Sequence, residues 1–368
     1  MGPMASLRSA CLIVIAAGMV CAQAPEKIQQ PWDGVPAAYR KLPIGKLEIP
    51  SDLASWKQRR EGVKRIVVQS LGDLPPRPAP LKVRTVSTDR KDGYRIEKFV
   101  FDNGVDSEVP GYIAIPDQRN GKLPAILTMH GHSSSKENMF GYQPTSQDVA
   151  ALLAKRGYVV LGIDSYFNGE RKGTGPAGDL ETQARGSDQE MSLFKLNLWL
   201  GRTLWGMMLR DEQIALDYLA SRPEVDANRI GAQGMSMGST RSWWLAAIDD
   251  RIKAVVAVAC FTRYEDLIAI RALRAHGIYY FVPGILKHFD SEGIMALLAP
   301  RPFLALTGDS DAGSPPEGMH KLETILARFY KLYGKPGQFQ SVIYPHTGHV
   351  YNDDEKSRMA AWFDKYLK

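Results

Sequence analysis

Gly234-Met235-Ser236-Met237-Gly238 lies between a short apolar run, Arg229 to Gln233, and a helix-compatible run that begins at Ser239-Thr240-Arg241-Ser242. Strand, sharp turn and helix are the context that makes a G-x-S-x-G pentapeptide chemically meaningful. Such a turn forces the serine into a strained backbone conformation, and a glycine two residues to each side leaves room for neighbouring backbone. The hydroxyl then projects from the sheet edge while the helix starts beneath it. The Met237 amide is thereby aimed at a developing oxyanion, helped by the positive end of the helix dipole. The competing reading is a glycine-rich turn of any α/β protein, so the decision rests on what surrounds the pentapeptide.

Outward from it, apolar strands alternate with helical runs. Strands are expected at Pro124–Met129, Tyr158–Ile163, Arg229–Gln233, Ala254–Ala259, Phe303–Thr307 and Gln340–Tyr344, and helices near 145–156, 191–222, 239–248, 316–333 and 355–367. Alternation of this kind predicts an α/β fold with a mostly parallel sheet covered on both faces. Leu204, Met208, Ala215 and Leu219 return to one face of the longest helical run, and Pro223 ends it. Ahead of this core, Lys82–Thr88, Tyr94–Phe101 and Val109–Ile115 read as antiparallel edge strands joined at Asp92-Gly93 and Asn103-Gly104. Residues 25–80 form an arm with a helix from about Ser51 to Leu71, capped by Ser51 or Asp52 and closed by Pro75-Pro76-Arg77-Pro78-Ala79-Pro80. The catalytic domain is expected at 81–368. Its insertions at about 165–190 and 261–290 follow strand ends, where ligands bind in open α/β sheets.

A serine hydroxyl needs a base, and the base needs an acid, in the chain order Ser…Asp/Glu…His. Leu304-Ala305-Leu306-Thr307-Gly308-Asp309-Ser310-Asp311 runs from strand into loop. Asp311 lies deeper in the loop and is preferred as the acid. Asp309 serves the turn, and Glu265 is an outside candidate. Of seven histidines, His276, His288 and His320 sit in helix-like stretches and read as packing or surface residues. His346 and His349 both follow the last strand; Gly348 allows a tight turn that presents His349, the preferred base. Thr128-Met129-His130-Gly131-His132 ends a strand in an HG turn, from which His132 would supply a second oxyanion amide. A metal held by His130 and His132 is the rival, without a clustered carboxylate or cysteine to support it.

Gly201-Arg202-Thr203-Leu204-Trp205-Gly206-Met207 through Asp226-Ala227-Asn228-Arg229-Ile230-Gly231 and the pentapeptide resemble bacterial α/β-hydrolases of the dienelactone hydrolase and acetyl xylan esterase-like group. Thr128 to Lys136, Asn168-Gly169-Glu170-Arg171 and the Gly308–Asp311 loop are similar to that group as well, so the likeness spans roughly residues 95 to 367. It implies an α/β-hydrolase fold and carboxylic ester hydrolysis, with Ser236 as nucleophile, Asp311 as acid, His349 as base and the Met237 and His132 amides as oxyanion donors. There are departures. Ser239-Thr240 stands where many relatives have small glycines, and dienelactone hydrolases proper use cysteine where this chain has Ser236. Glu170, Arg171, Arg202 and Trp205 are candidate substrate-binding residues, against an ordinary ion pair for the charged ones. Trp199 is a second tryptophan considered for the pocket, whereas Trp243 and Trp244 belong to the core.

Composition fits this reading. With 368 residues, 44% hydrophobic and 23% charged, the chain can bury a core without disulfides or metal. The net charge of +6 is scattered and no basic run suggests nucleic acid. Arg8, the apolar stretch Cys11 to Val20 and Ala22-Gln23-Ala24 form a signal peptide over 1–24, too short to span a bilayer. Val20 disfavours lipidation at Cys21. After cleavage Cys260 is the one cysteine left, and it reads as core filler. The expectation is an exported serine esterase without cofactor, acting on small-molecule or carbohydrate esters; a serine peptidase of the same fold and a non-catalytic binding protein are the alternatives.

Overall fold

The computed structural model describes residues 44–118, 120–176 and 188–368. The leader expected at 1–24, the lead-in of the arm and part of the first insertion lie outside them. Helix α1 (Leu53–Ser70) is capped by Asp52, whose side chain accepts the Ser55 amide, and it turns Trp56, Val63 and Val67 inward. Three antiparallel strands follow, β1 (Val83–Lys91), β2 (Tyr94–Asp102) and β3 (Glu108–Pro116). Next come β4 (Leu123–Met129), α2 (Lys136–Met139), α3 (Ala150–Lys155) and β5 (Val159–Ile163). The 145–156 run thus keeps only its second half as helix.

The single helix expected at 191–222 is two, α4 (Asp188–Trp199) and α5 (Leu204–Ser221). Gly201, at φ +72°, breaks it, and the Thr203 hydroxyl restarts it by accepting the Gly206 amide at 2.9 Å. The break is where α1 docks: the amide and hydroxyl of Thr203 both donate to the Leu71 carbonyl, and Gly72 pairs with Arg202. Periodicity alone does not register a tertiary contact of this kind.

The chain continues through β6 (Val225–Met235), α6 (Met237–Ile248), β7 (Ile252–Val258), α7 (Tyr264–Ala269) and α8 (Ser291–Ala296). It ends with β8 (Phe303–Gly308), α9 (Pro316–Leu332), β9 (Phe339–Tyr344) and α10 (Asp353–Leu367). The nine strands form one sheet in the order β1-β2-β3-β5-β4-β6-β7-β8-β9. Neighbours from β5 to β9 are parallel, while β1, β2 and β3 pair antiparallel and join at β5. Every residue of β5 and β8 is buried, as parallel strands covered on both faces require. One layer gathers Trp56, Trp205, Trp243, Met295 and Phe329. The other gathers Leu153, Tyr351, Met359, Trp362 and Phe363. Because β4, β6, β8 and β9 run parallel, the loops after each of them emerge on the same sheet edge.

Candidate active site

Ser236 stands between β6 and α6 at φ 58°, ψ −120°, a conformation sparsely populated by residues with a side chain. The flanking glycines are there for space. A Cβ on Gly234 would lie 2.4 Å from the Gly238 carbonyl carbon, and one on Gly238 would lie 1.9 Å from the Met129 carbonyl oxygen. The end of β4 therefore presses directly on the first turn of α6. From the other side, the Ser236 amide donates to the Val258 carbonyl at 2.9 Å, and the Ser239 hydroxyl donates to the Ala259 carbonyl at 2.5 Å. Ser239 and Thr240, the departures from small glycines, are both fully buried. Ala259 and Cys260 take positive φ of 61° and 55° as the chain turns under the elbow. The Cys260 thiol is buried, which pushes it up to about 12, against the opposing effect of the Ser236 and Thr240 hydroxyls. It fills the core as expected and also backs the elbow.

Asp311 and His349 come together: Nδ1 of His349 donates to Oδ2 of Asp311 at 2.8 Å. The other carboxylate oxygen accepts the Gly313 amide at 2.9 Å. Burial works to raise the Asp311 carboxyl, but the hydrogen bond and charge of His349 overcome it and hold the group below its ordinary range. In turn the bond to Asp311 raises the His349 imidazole above its usual value, against the effect of its own burial. Among the described residues the Asp309 carboxylate accepts the neighbouring Ser310 hydroxyl and no other group, and Glu265 pairs with Arg263. His346 is exposed, at φ 50°, and His320 pairs with Glu323 on the surface. His276 is buried, stacked 4.2 Å from Tyr280, with its Nε2 on the Gly313 carbonyl at 3.1 Å. The tight turn does not depend on Gly348, whose Cβ would meet nothing within 4 Å. Gly308 is the required glycine, since a Cβ there would lie 2.0 Å from the Thr347 carbonyl oxygen.

Met237 is the first residue of α6, so its amide has no intrahelical acceptor. The segment carrying His132 is pinned at each preceding group. Arg241, fully buried and paired with Glu212, donates to the His130 carbonyl at 2.6 Å, and the Gly131 amide donates to Gln147 at 3.0 Å. Nε2 of His130 accepts the Ser165 amide at 3.0 Å, so Nδ1 carries the proton and donates to the Gly131 carbonyl at 2.8 Å. Burial, then the charge of Arg241, holds this imidazole well below its usual range. Both its nitrogens are committed, and His132 Nε2 is engaged by Glu190 at 2.8 Å, so the two rings do not form the rival metal pair. Among the described residues Glu137, Asp164 and Glu170 do converge, but the buried Lys136 ammonium sits between them, 2.6, 2.8 and 2.5 Å from their oxygens.

A polar cavity of about 500 Å³ opens beside His132, lined among others by Ser133, Ser135, Asn138, Asn168, Gln189 and Glu190. Tyr279, from the second insertion, stacks 5.3 Å from the His132 ring. The four candidate binding residues lie elsewhere. Glu170 pairs with Lys98 and Lys136, and Arg171 is buried against Asp211 and over the Tyr166 ring. Arg202 holds Asn197, and Trp205 is fully buried between Trp244, Tyr279 and Tyr280. Trp199 points away, 89% exposed at the end of α4, while Trp243 and Trp244 are core as expected. The cavity wall built by Ser133-Ser134-Ser135 and by Glu190 has no motif of its own, and the serine run, inside the Thr128–Lys136 stretch, is its one sequence signal.

The profile of the Abhydrolase family matches residues 46–364. "Putative hydrolase YtaP" of Bacillus subtilis is 34% identical over 316 residues, covering 84% of this chain and 99% of its own. Two solved structures share the fold: a "putative acetyl xylan esterase" from Bacteroides fragilis and a glucuronoyl esterase from Solibacter usitatus. The first has a TM-score of 0.67 at 20% identity and covers 84% of this chain and 81% of its own. The second has a TM-score of 0.66 at 16% identity and covers 88% and 97%. With elbow, sheet order and profile in agreement, the chain belongs to the Abhydrolase family of hydrolases with the α/β-hydrolase fold.

Proposed function

We propose that the protein is an exported serine carboxylic ester hydrolase. The observation that carries this reading is Ser236 at positive φ on the same sheet edge as the hydrogen-bonded Asp311–His349 pair. In this scheme Nε2 of His349 takes the Ser236 proton as Oγ attacks the ester carbonyl carbon. The amides of Met237 and His132 receive the oxyanion. Collapse breaks the bond to the alkoxide, which leaves with the proton from His349. Water, activated by the same imidazole, then releases the acid and restores the hydroxyl. Asp311 fixes the Nδ1–H tautomer and stabilises the imidazolium that forms between steps.

The polar cavity supports an alcohol portion rich in hydroxyls, such as an acetylated plant or microbial polysaccharide. The leader over residues 1–24 supports export, and no helix of the described residues is long and apolar enough to cross a membrane. The arm and the sheet act as one catalytic unit in this reading, with α1 packed into the sheet's core. The test is turnover of p-nitrophenyl acetate and an aminoacyl-nitroanilide by the purified mature protein, with Ser236→Ala as control. Ester turnover lost in the variant is the expected result. Turnover of the anilide alone would replace the reading with a peptidase, and turnover of neither with a binding protein.

A further inference from the structure

The segment from β9 to α10 carries His349, and its anchors fall into two groups. The acid loop holds it twice: Ser310 donates to the Thr347 carbonyl at 2.9 Å, and Asp311 accepts from His349. Asn352 fixes its far end in a reciprocal cap with Glu355 at the start of α10. None of these contacts reaches β6, on which Ser236 is mounted. Among the described residues, the one hydrogen bond that does is from Tyr351 Oη to Gln233 Oε1, at 3.2 Å. Tyr351 follows His349 by two positions, and Gln233 precedes Ser236 by three.

The other end of the same amide reaches the third segment of the site. Gln233 Nε2 donates to the Thr128 hydroxyl at the end of β4, four positions before His132. The Thr128 proton is directed to the Met139 sulfur at 3.4 Å, so the hydroxyl oxygen is free to accept. The amide orientation is therefore fixed from both sides: Nε2 faces an acceptor, Oε1 faces a phenol that donates. Thr128, Gln233 and Tyr351 are each at most 2% exposed, and water does not substitute for any of these bonds. Burial, then the charge of Glu355, keeps the Tyr351 phenol protonated as the donor it must be.

We infer that Gln233 is a positioning residue for the reaction proposed above. Its side-chain amide sets the histidine segment and the oxyanion strand in register with the nucleophile strand. A filler role would require only that the buried amide be satisfied. A positioning role requires more: loss of either bond must reach the chemical step, and the two losses must interact.

This inference rests on the esterase reading, and the experiment separates the two. Tyr351→Phe and Thr128→Val each remove one partner with little change in volume, and the double variant closes a cycle measured in kcat, in KM and in Tm on p-nitrophenyl acetate. The expected result is a kcat lowered about 5- to 20-fold in each single variant, with KM unchanged, and a double variant clearly less impaired than the product of the two. A shift of the acidic limb of the kcat profile in Tyr351→Phe would support the same conclusion, because that bond acts on the histidine segment. Gln233→Leu serves as the third arm and should match the double variant. If Tm falls while kcat holds in all of these, or the two losses multiply independently, the inference is overturned and the esterase reading stands. If the wild-type protein turns over no ester, or Ser236→Ala retains turnover, both are overturned together.

Discussion

Gly308→Ala tests how the acid and histidine loops are assembled. A Cβ at this position would lie 2.0 Å from the Thr347 carbonyl oxygen, 2.5 Å from the Thr347 carbonyl carbon and 2.8 Å from the Gly348 oxygen. Real Cβ contacts stay beyond 3.0 Å, so the carbonyl must retreat by 3.0 − 2.0 = 1.0 Å. It cannot do so freely, because Ser310 donates to that oxygen at 2.9 Å and Asp309 donates to the Tyr344 carbonyl at 3.0 Å. Thr347 is two positions from His349, so the displacement is delivered to the base. A misplacement of about 1 Å costs on the order of 100-fold in rate. Overpacking against a rigid backbone costs about 1–3 kcal/mol of stability. The expected outcome is a loss of about 100-fold in kcat/KM for p-nitrophenyl acetate, with the variant still folded by circular dichroism. Gly348→Ala, in the same loop but facing open space, should behave like the parent. Equal activity of Gly308→Ala and the parent would refute the reasoning, as would equal damage from both substitutions.

His349 must be neutral to accept a proton, and Asp311 raises it, so kcat/KM should fall as pH drops through an apparent value above 6.5; Asp311→Asn should move that limb to lower pH and slow the reaction. For stability the sign reverses: the raised His349 contributes fully below 6.5 and loses its contribution as pH rises through its folded value, while the lowered Asp311 contributes above 3.8 and loses it as pH falls through its own. The stability gap between the parent and Asp311→Asn should therefore be widest between 3.8 and 6.5, measured as Tm against pH. Trp205→Ala should cost about 3–5 kcal/mol in urea denaturation and leave KM unchanged, because the indole is packing and not cavity wall. Lys136→Met strands the fully buried Asp164 carboxylate and should cost about 3–5 kcal/mol, partly restored by adding Asp164→Asn.

The turns that carry Ser236, Asp311 and His349 are legible because each follows an apolar run, and the parallel sheet brings such turns to one edge. The structure pairs the last two directly. What could not be read depends on contacts between distant segments. Gly201 and the capping Thr203 are local stop and start signals, but the apolar face continues on both sides and hides them; the break is where Leu71 and Gly72 dock. Gly348 looked like the glycine that shapes the histidine turn, whereas the close approach is felt at Gly308, forty positions earlier. Arg171 carried charge in a promising loop, but its partner Asp211 lies on α5, and that pairing draws it inward. Gln233 is an unremarkable strand residue until Thr128 and Tyr351 are seen at its two ends.

Helix α1 has a consequence for how the polypeptide is made. Trp56 meets the Phe329 ring at 4.5 Å, Lys64 meets Asp250 across 186 positions, and Arg60 donates to the Leu297 carbonyl across 237. At about 5–20 residues per second, translation needs roughly 14–55 s to supply the last of that set, Phe329. Until then the indole and two valines of α1 lack part of the native surface on which they rest. A helix synthesised early is thus seated late, a delay that would suit the export proposed above.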